Sequence, residues 1–295
     1  LSRDLLGQVD LTPKTGEPQD SWGWEIAAYL YLGGLGAAAF IVTTLLDWTG
    51  PRLPSSLWAV TAGWEWDWAA VFFYWAVAAT GLGALFLIPH LGRNWFLFFT
   101  ACLNPRSSWM ARGFLILMTF IVLGGLAGVV AVIFPDWPET APAVWRALQA
   151  LALLAACALI MYTGVLMSTK KYIPAWHTTI LPPLIFASAL SIGAMGIAVG
   201  ALLSGLVSGE ATPVDPLLRR IEVAHPVILA VEAVLLGLYL RRLTRGGPEA
   251  QLSFKMLTAG SWRHAFWVGV VGAALVVPLV VGGVLLALPS ADPIS

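Results

Sequence analysis

Glu25 and Tyr29 stand four residues apart in an otherwise apolar stretch, which puts them on one face of a helix. A carboxylate in such a stretch is costly unless it has a partner or a task. Groups of related chemistry recur at the matching ends of neighbouring stretches: His90 and Arg93, then Asn104 and Arg106, then Tyr162, then Lys170, Lys171 and His177. Together they offer hydroxyl, imidazole, amide and carboxylate. That set suits a quinone head group, whose two carbonyl oxygens need hydrogen bonds and whose reduction takes up two protons. The apolar and aromatic surroundings would hold an isoprenoid tail, and Trp24 could line the same pocket. The plainer reading is that Glu25 pairs with a loop arginine and locks the helices together.

A second set is Glu222, His225, Glu232 and Tyr239. Spacings of three, seven and seven place them on one helical face. Glu232 falls near the middle of its stretch and cannot reach water by snorkelling. Such residues face the bundle interior and often relay protons. Glu222 and His225 lie near the opposite end and are expected to be solvated.

Other chemistries fit less well. His90, His177, His225 and His264 lie in loops or at helix ends and offer no facing pair for an axial haem site. The last apolar stretch contains no lysine for a retinal link. Cys102 and Cys157 form no CxxC motif, so this chain alone holds no iron–sulfur cluster or structural zinc. They are read as plain helix residues. No metal or haem is expected.

The elements that must position these groups are seven apolar stretches: 22–46, 66–88, 110–134, 143–167, 179–203, 217–240 and 262–288. Each reaches the roughly 20 residues a membrane span requires. Of 295 residues, 59% are hydrophobic and only 11% charged, less than half the share of a soluble domain. The expected fold is an all-α integral membrane protein, a bundle of about seven transmembrane helices over residues 22–289. A polar segment, 1–21, precedes it, and a short tail, 290–295, follows. The first 21 residues lack the apolar core of a signal peptide, so the first span is expected to be a start-transfer helix that stays in the protein. No loop has room for a soluble catalytic domain, so catalysis would belong to a partner chain. Zero net charge gives no reason to expect nucleic acid.

Twelve of the 16 basic residues lie on the side of the N-terminus: Arg3, Lys14, Arg93, Arg106, Arg112, Lys170, Lys171, Arg241, Arg242, Arg245, Lys255 and Arg263. Basic short loops stay in the cytoplasm, which predicts a cytoplasmic N-terminus in a bacterial or archaeal inner membrane. Trp22, Trp24, Trp48, Trp109, Trp137, Trp145, Trp176 and Trp262 fall near span ends and are read as interfacial anchors. Gly33, Gly34, Gly36 and Ala37 cluster in the first span. Gly124 and Gly128, and Gly196 and Gly200, are four apart, the spacing of close helix contacts in lipid. Pro182 and Pro183 are expected to kink the fifth span or end an irregular turn. Four spans followed by three are compatible with two packed bundles.

Several segments resemble the NrfD/PsrC family, the membrane subunits of polysulfide reductase and related enzymes. Trp22-Gly-Trp24-Glu-Ile-Ala-Ala-Tyr29-Leu-Tyr-Leu-Gly-Gly34 looks like its opening helix. Asn104-Pro105-Arg106-Ser-Ser-Trp109, Tyr162-Thr-Gly164, Ile180-Leu-Pro-Pro183 and Arg220-Ile-Glu222 with Glu232 follow in the family's order. The resemblance covers most of residues 22–285 and implies a quinone-reactive anchor of a multi-subunit respiratory oxidoreductase. It implies menaquinone or ubiquinone as cofactor, an iron–sulfur electron-transfer subunit, and a large molybdopterin-type or cytochrome catalytic subunit. By resemblance Tyr29 and Tyr162 contact quinone. Glu25, Asn104 and Trp24 join them by depth and spacing. Glu222, His225 and Glu232 would form a proton path. Arg93, Arg106, Lys170, Lys171 and His177 would dock the partner.

Two departures follow. Members usually have eight helices, against seven counted here. Their N-terminal side faces the periplasm, whereas the basic side here predicts the cytoplasm. The alternative function is a secondary transporter or proton-conducting membrane protein built on Glu232 and Glu25. Matching broken helices in two halves would favour it, and only Pro182–Pro183 interrupts a span in this reading.

Overall fold

The computed structural model describes residues 23–50, 54–55, 66–87, 109–134, 136–170, 173–208 and 215–280. Helix α1 (Trp24–Thr49) leads through a two-residue antiparallel pair, β1 (Pro54–Ser55) and β2 (Trp66–Asp67), into α2 (Trp68–Leu87). Then come α3 (Trp109–Ile133), the short α4 (Trp137–Thr140), α5 (Pro142–Ser168) and α6 (Leu181–Ser208). The chain continues with α7 (Asp215–Thr244), α8 (Pro248–Thr258) and a π-helical segment, Ala265–Val276. Six helices are long and apolar enough to cross a membrane, with a shorter apolar helix at Ala265–Val280. The all-helical membrane fold expected from the sequence is therefore what forms.

In hydrocarbon every backbone polar group must be satisfied within its own helix, which favours helical spans. Side-chain hydroxyls follow the same rule. Thr44, Thr49, Thr80 and Thr119 each donate to the carbonyl four residues back, at 2.7–3.0 Å.

Helices α1, α2, α3 and α5 close a ring, each packed on the next, and α6 lies across α1 and α5. Helix α7 packs mainly on α6, and only 17% of its span is buried. The first four spans thus form one bundle, and the remaining described helices do not close a second ring. Each helix of the ring contributes one aromatic to its centre. Phe40 lies 4.7 Å from Phe73 and 5.5 Å from Phe120, between ring centroids, and Phe73 lies 6.2 Å from Trp145. Such pairs each add about 0.5–1.5 kcal/mol beyond area burial.

Association in lipid rests on close packing rather than on the hydrophobic effect. Gly36 abuts the Ala76 carbonyl and Thr80 on α2. Gly196 and Gly200 receive the rings of Trp75 and Phe72, and Gly128 that of Tyr74. Gly193 is tighter still: an added Cβ would stand 2.6 Å from the Ala38 side chain and 2.7 Å from α1 backbone. Gly193→Val should therefore separate α1 from α6 and cost about 1–3 kcal/mol. Unfolding in mixed detergent micelles measures this, and wild-type stability would refute it.

Pro182 and Pro183 do not kink a helix. They lie in the first turn of α6, where a missing N–H costs nothing, and Pro182 packs on Gly164. Pro226 does stand inside a span, α7, where it leaves the Glu222 carbonyl without its helical donor.

Candidate functional site

Tyr29 lies one turn inside the N-terminal end of α1, and Tyr162 lies near the C-terminal end of α5. These helices run antiparallel within the ring, so the two phenols meet at one end of the bundle, within electrostatic reach of each other. Tyr29 is 9% exposed, and its hydroxyl makes no hydrogen bond among the described residues. It is a free donor. The Tyr162 hydroxyl donates to the Trp109 carbonyl at 2.8 Å, and its oxygen keeps lone pairs to accept with. Gly113 makes room for that ring, because a Cβ there would overlap the phenol. One phenol can thus donate and the other can accept.

Trp24 is 67% exposed and meets Phe86 edge-on at 5.6 Å, the posture of an interfacial anchor. Glu25 is half-buried, and its carboxylate folds back over Gly23 rather than onto a loop arginine among the described residues. On the same end, Arg112 stacks over the Trp109 ring at 4.6 Å. His177 is exposed and hydrogen-bonds the Ser168 carbonyl through Nδ1 at 2.8 Å, tying the following loop to the end of α5. Tyr239 of α7 donates to Ala175 in that loop at 3.0 Å, so it is a structural latch rather than a rung of the ladder. Lys170 is half-buried beside them. Asn104, Arg93, Arg106, Lys171, His90 and Cys102 lie outside the described residues. Cys157 is a half-buried free thiol.

The second set is at a different place. His225 shares a 3.0 Å hydrogen bond with Ser191 of α6, and Ser188 hydrogen-bonds Glu232. His225 is 5% exposed and Glu232 is 8% exposed. The expectation that His225 is solvated is thus corrected: α6 covers it and supplies its partner. Glu222 does stay at the surface and pairs with Arg219 at 3.8 Å. Two cavities flank His225. One, of about 570 Å³, holds Ser188, Ser191 and Glu232, and the other, of about 540 Å³, reaches Arg219 and Arg220. His225 lines both. A third cavity, of about 380 Å³, is almost wholly apolar and is lined by Met161 of α5 and by residues of α6 and α7.

A match over most of the sequence settles the family. The family described as polysulphide reductase, NrfD, matches residues 13–290. This chain belongs to the NrfD family. It is 30% identical to the C subunit of polysulfide reductase from Wolinella succinogenes, over 88% of this chain and 82% of that protein. It is 25% identical to protein NrfD of Escherichia coli K12, covering 88% and 83%. The NrfD homolog of Haemophilus influenzae is 25% identical, covering 89% and 83%. The protein is thus a multi-pass membrane protein of the NrfD family. Among its described residues, no three His, Cys, Asp or Glu side chains gather as a metal site.

The NrfD-family protein also holds a polar node that the sequence pattern does not announce. Gln149 of α5 is fully buried. It accepts from Trp48 Nε1 at 2.6 Å and donates to Asp47 Oδ2 at 2.7 Å. Trp145, expected at the interface, is 3% exposed and belongs to the core of the ring. The pairs Thr43/Asp47 and Trp145/Gln149, each four apart, are the one signal of it in the sequence.

Proposed function

We propose that this protein is the quinone-reactive anchor of a multi-subunit oxidoreductase. One observation carries the reading: the phenols of Tyr29 and Tyr162 are brought from distant parts of the sequence to one end of the bundle, the first without an acceptor among the described residues and the second with lone pairs left to accept. A bound menaquinone or ubiquinone would supply the means to carry two electrons and two protons. Tyr29 and Tyr162 would orient its head group. Trp24, Glu25 and Asn104 complete the wall, with Glu25 passing protons to water.

Lys170 and His177, with Arg93, Arg106 and Lys171, would hold an acidic iron–sulfur subunit against this end. A larger molybdopterin-type or cytochrome subunit would lie beyond it. The name of the Wolinella relative, one lettered subunit of a reductase, supports a complex of this kind. The basic end would face the cytoplasm. The hydrogen-bonded pairs Glu232–Ser188 and His225–Ser191 favour a proton path between the two cavities, with Glu222 at its outer end.

Purification in mild detergent, followed by mass spectrometry of bound proteins and lipids, tests the proposal. An iron–sulfur protein and a quinone in the same peak are expected. A lone protein without quinone would instead favour a transporter. Lys170→Ser with Lys171→Ser should weaken partner retention most at low salt, because contacts between exposed charges are screened beyond roughly 10 Å at 0.1 M salt. Unchanged retention would remove these residues from the docking surface.

A further inference from the structure

The Asp47–Gln149 node leaves three buried polar atoms without a partner among the described residues: Thr43 Oγ1, Asp47 Oδ1 and Trp145 Nε1. Thr43 differs here from Thr44, Thr49, Thr80 and Thr119, whose hydroxyls all donate back to their own helix. Thr43 lies one turn from Asp47 on α1, and Trp145 lies one turn from Gln149 on α5. The 2.7 Å Gln149–Asp47 bond joins those two faces. The orphan atoms are a donor in Trp145, an acceptor in Asp47 and a hydroxyl that can be either. A metal ion does not suit a node whose unpartnered atoms include the Trp145 N–H. An anion does not suit a carboxylate. Water can serve a donor, an acceptor and a hydroxyl alike, and ordering water costs less than leaving buried polar groups dry.

Asp47 is 18 residues beyond Tyr29 on the same helix, about 27 Å along its axis at 1.5 Å per residue. That is close to the hydrocarbon thickness of a bilayer, roughly 30 Å. The site is therefore at the end of the ring opposite the phenols. Arg220 of α7 lies over Gly50 and donates to the Leu46 carbonyl at 3.5 Å, so it faces the end of α1 near the node. Arg146 of α5 is exposed, and no other charged side chain on the described parts of α2, α3 or α6 faces the node.

We propose that Asp47, Gln149, Thr43 and Trp145 form a site that holds ordered water at the far end of the four-helix ring. The inference does not depend on the quinone reading.

Hydroxyl-radical footprinting of the detergent-purified protein, with any partners it retains, tests for the water. Trp145, 3% exposed, should be modified several-fold faster than the fully buried Phe73 and Phe120. Thr43→Val should slow that modification while the Asp47–Gln149 bond remains. Modification of Trp145 no faster than that of the two phenylalanines overturns the proposal. Gln149→Leu supplies a second arm: it removes the amide donor of the node and should also change the rate at Trp145. A rate at Trp145 unchanged in both variants overturns the proposal.

Discussion

Tyr29→Phe is expected to lower quinone-linked electron transfer about tenfold while the melting temperature stays within a degree or so, because one hydrogen bond is worth about 0.5–1.5 kcal/mol. The reason is local. The Tyr29 hydroxyl has no partner among the described residues, so its removal leaves none of them unsatisfied and opens no cavity of note. Tyr162→Phe should lower the rate by a similar factor but also cost some stability. Its hydroxyl ties the end of α5 to the start of α3 through the Trp109 carbonyl. Gly113→Ala provides the third arm. It keeps both phenols but pushes the Tyr162 ring off its seat, where a Cβ has no room. If placement matters, this variant should fall as far as Tyr162→Phe. Rates measured with a soluble quinol analogue in membranes containing the whole complex decide it. Wild-type rates in both Phe variants would refute the phenol pair as the quinone site.

The phenol pair was legible because two constraints acted together. Membrane spans can be counted from length and apolarity alone, which fixes the end of the bundle at which each residue emerges. Tyrosines near those ends then share a depth. That reasoning gives depth but not azimuth. It could not show that Tyr162 turns toward α3, because only the absent side chain of Gly113 makes that possible. It also put Trp145 at the interface, as span-end tryptophans usually are. The ring centre needed a fourth aromatic to meet Phe40, Phe73 and Phe120, and Trp145 supplies it. Gln149 and Asp47 are 102 residues apart and lie near span ends, where polar side chains normally need no explanation. Their pairing follows only from the antiparallel contact of α1 with α5. Burial of His225 was hidden for the same reason. Its partner Ser191 is one of many small residues on α6, and nothing in its own sequence marks it. The π geometry of Ala265–Val276 has no sequence signal that we can identify.

The ladder on α7 gives the sharper functional test. Glu232 is nearly buried, hydrogen-bonded by Ser188, and shares a cavity of about 570 Å³ with His225. His225 in turn opens on the cavity that reaches Arg219 and Arg220. A path of this form needs a group at Glu232 that can take up and release a proton. Gln keeps the size and the hydrogen bond but cannot do so. Glu232→Gln should therefore leave assembly and uncoupled electron transfer near wild type. Proton movement coupled to turnover in sealed vesicles should fall by about an order of magnitude, consistent with the loss of one positioned proton-transfer group. His225→Phe should do the same, since it fills the junction between the cavities without a titratable nitrogen. Ser191→Ala is the control for structure: it removes only the partner of His225 and should reduce coupling less than either. Replacing Glu222 should matter least, because it is paired at the surface with Arg219 and exchanges with water directly. If coupling survives Glu232→Gln intact, the ladder is a packing feature of the α6–α7 contact, and any protons taken up at the phenol end leave by another route.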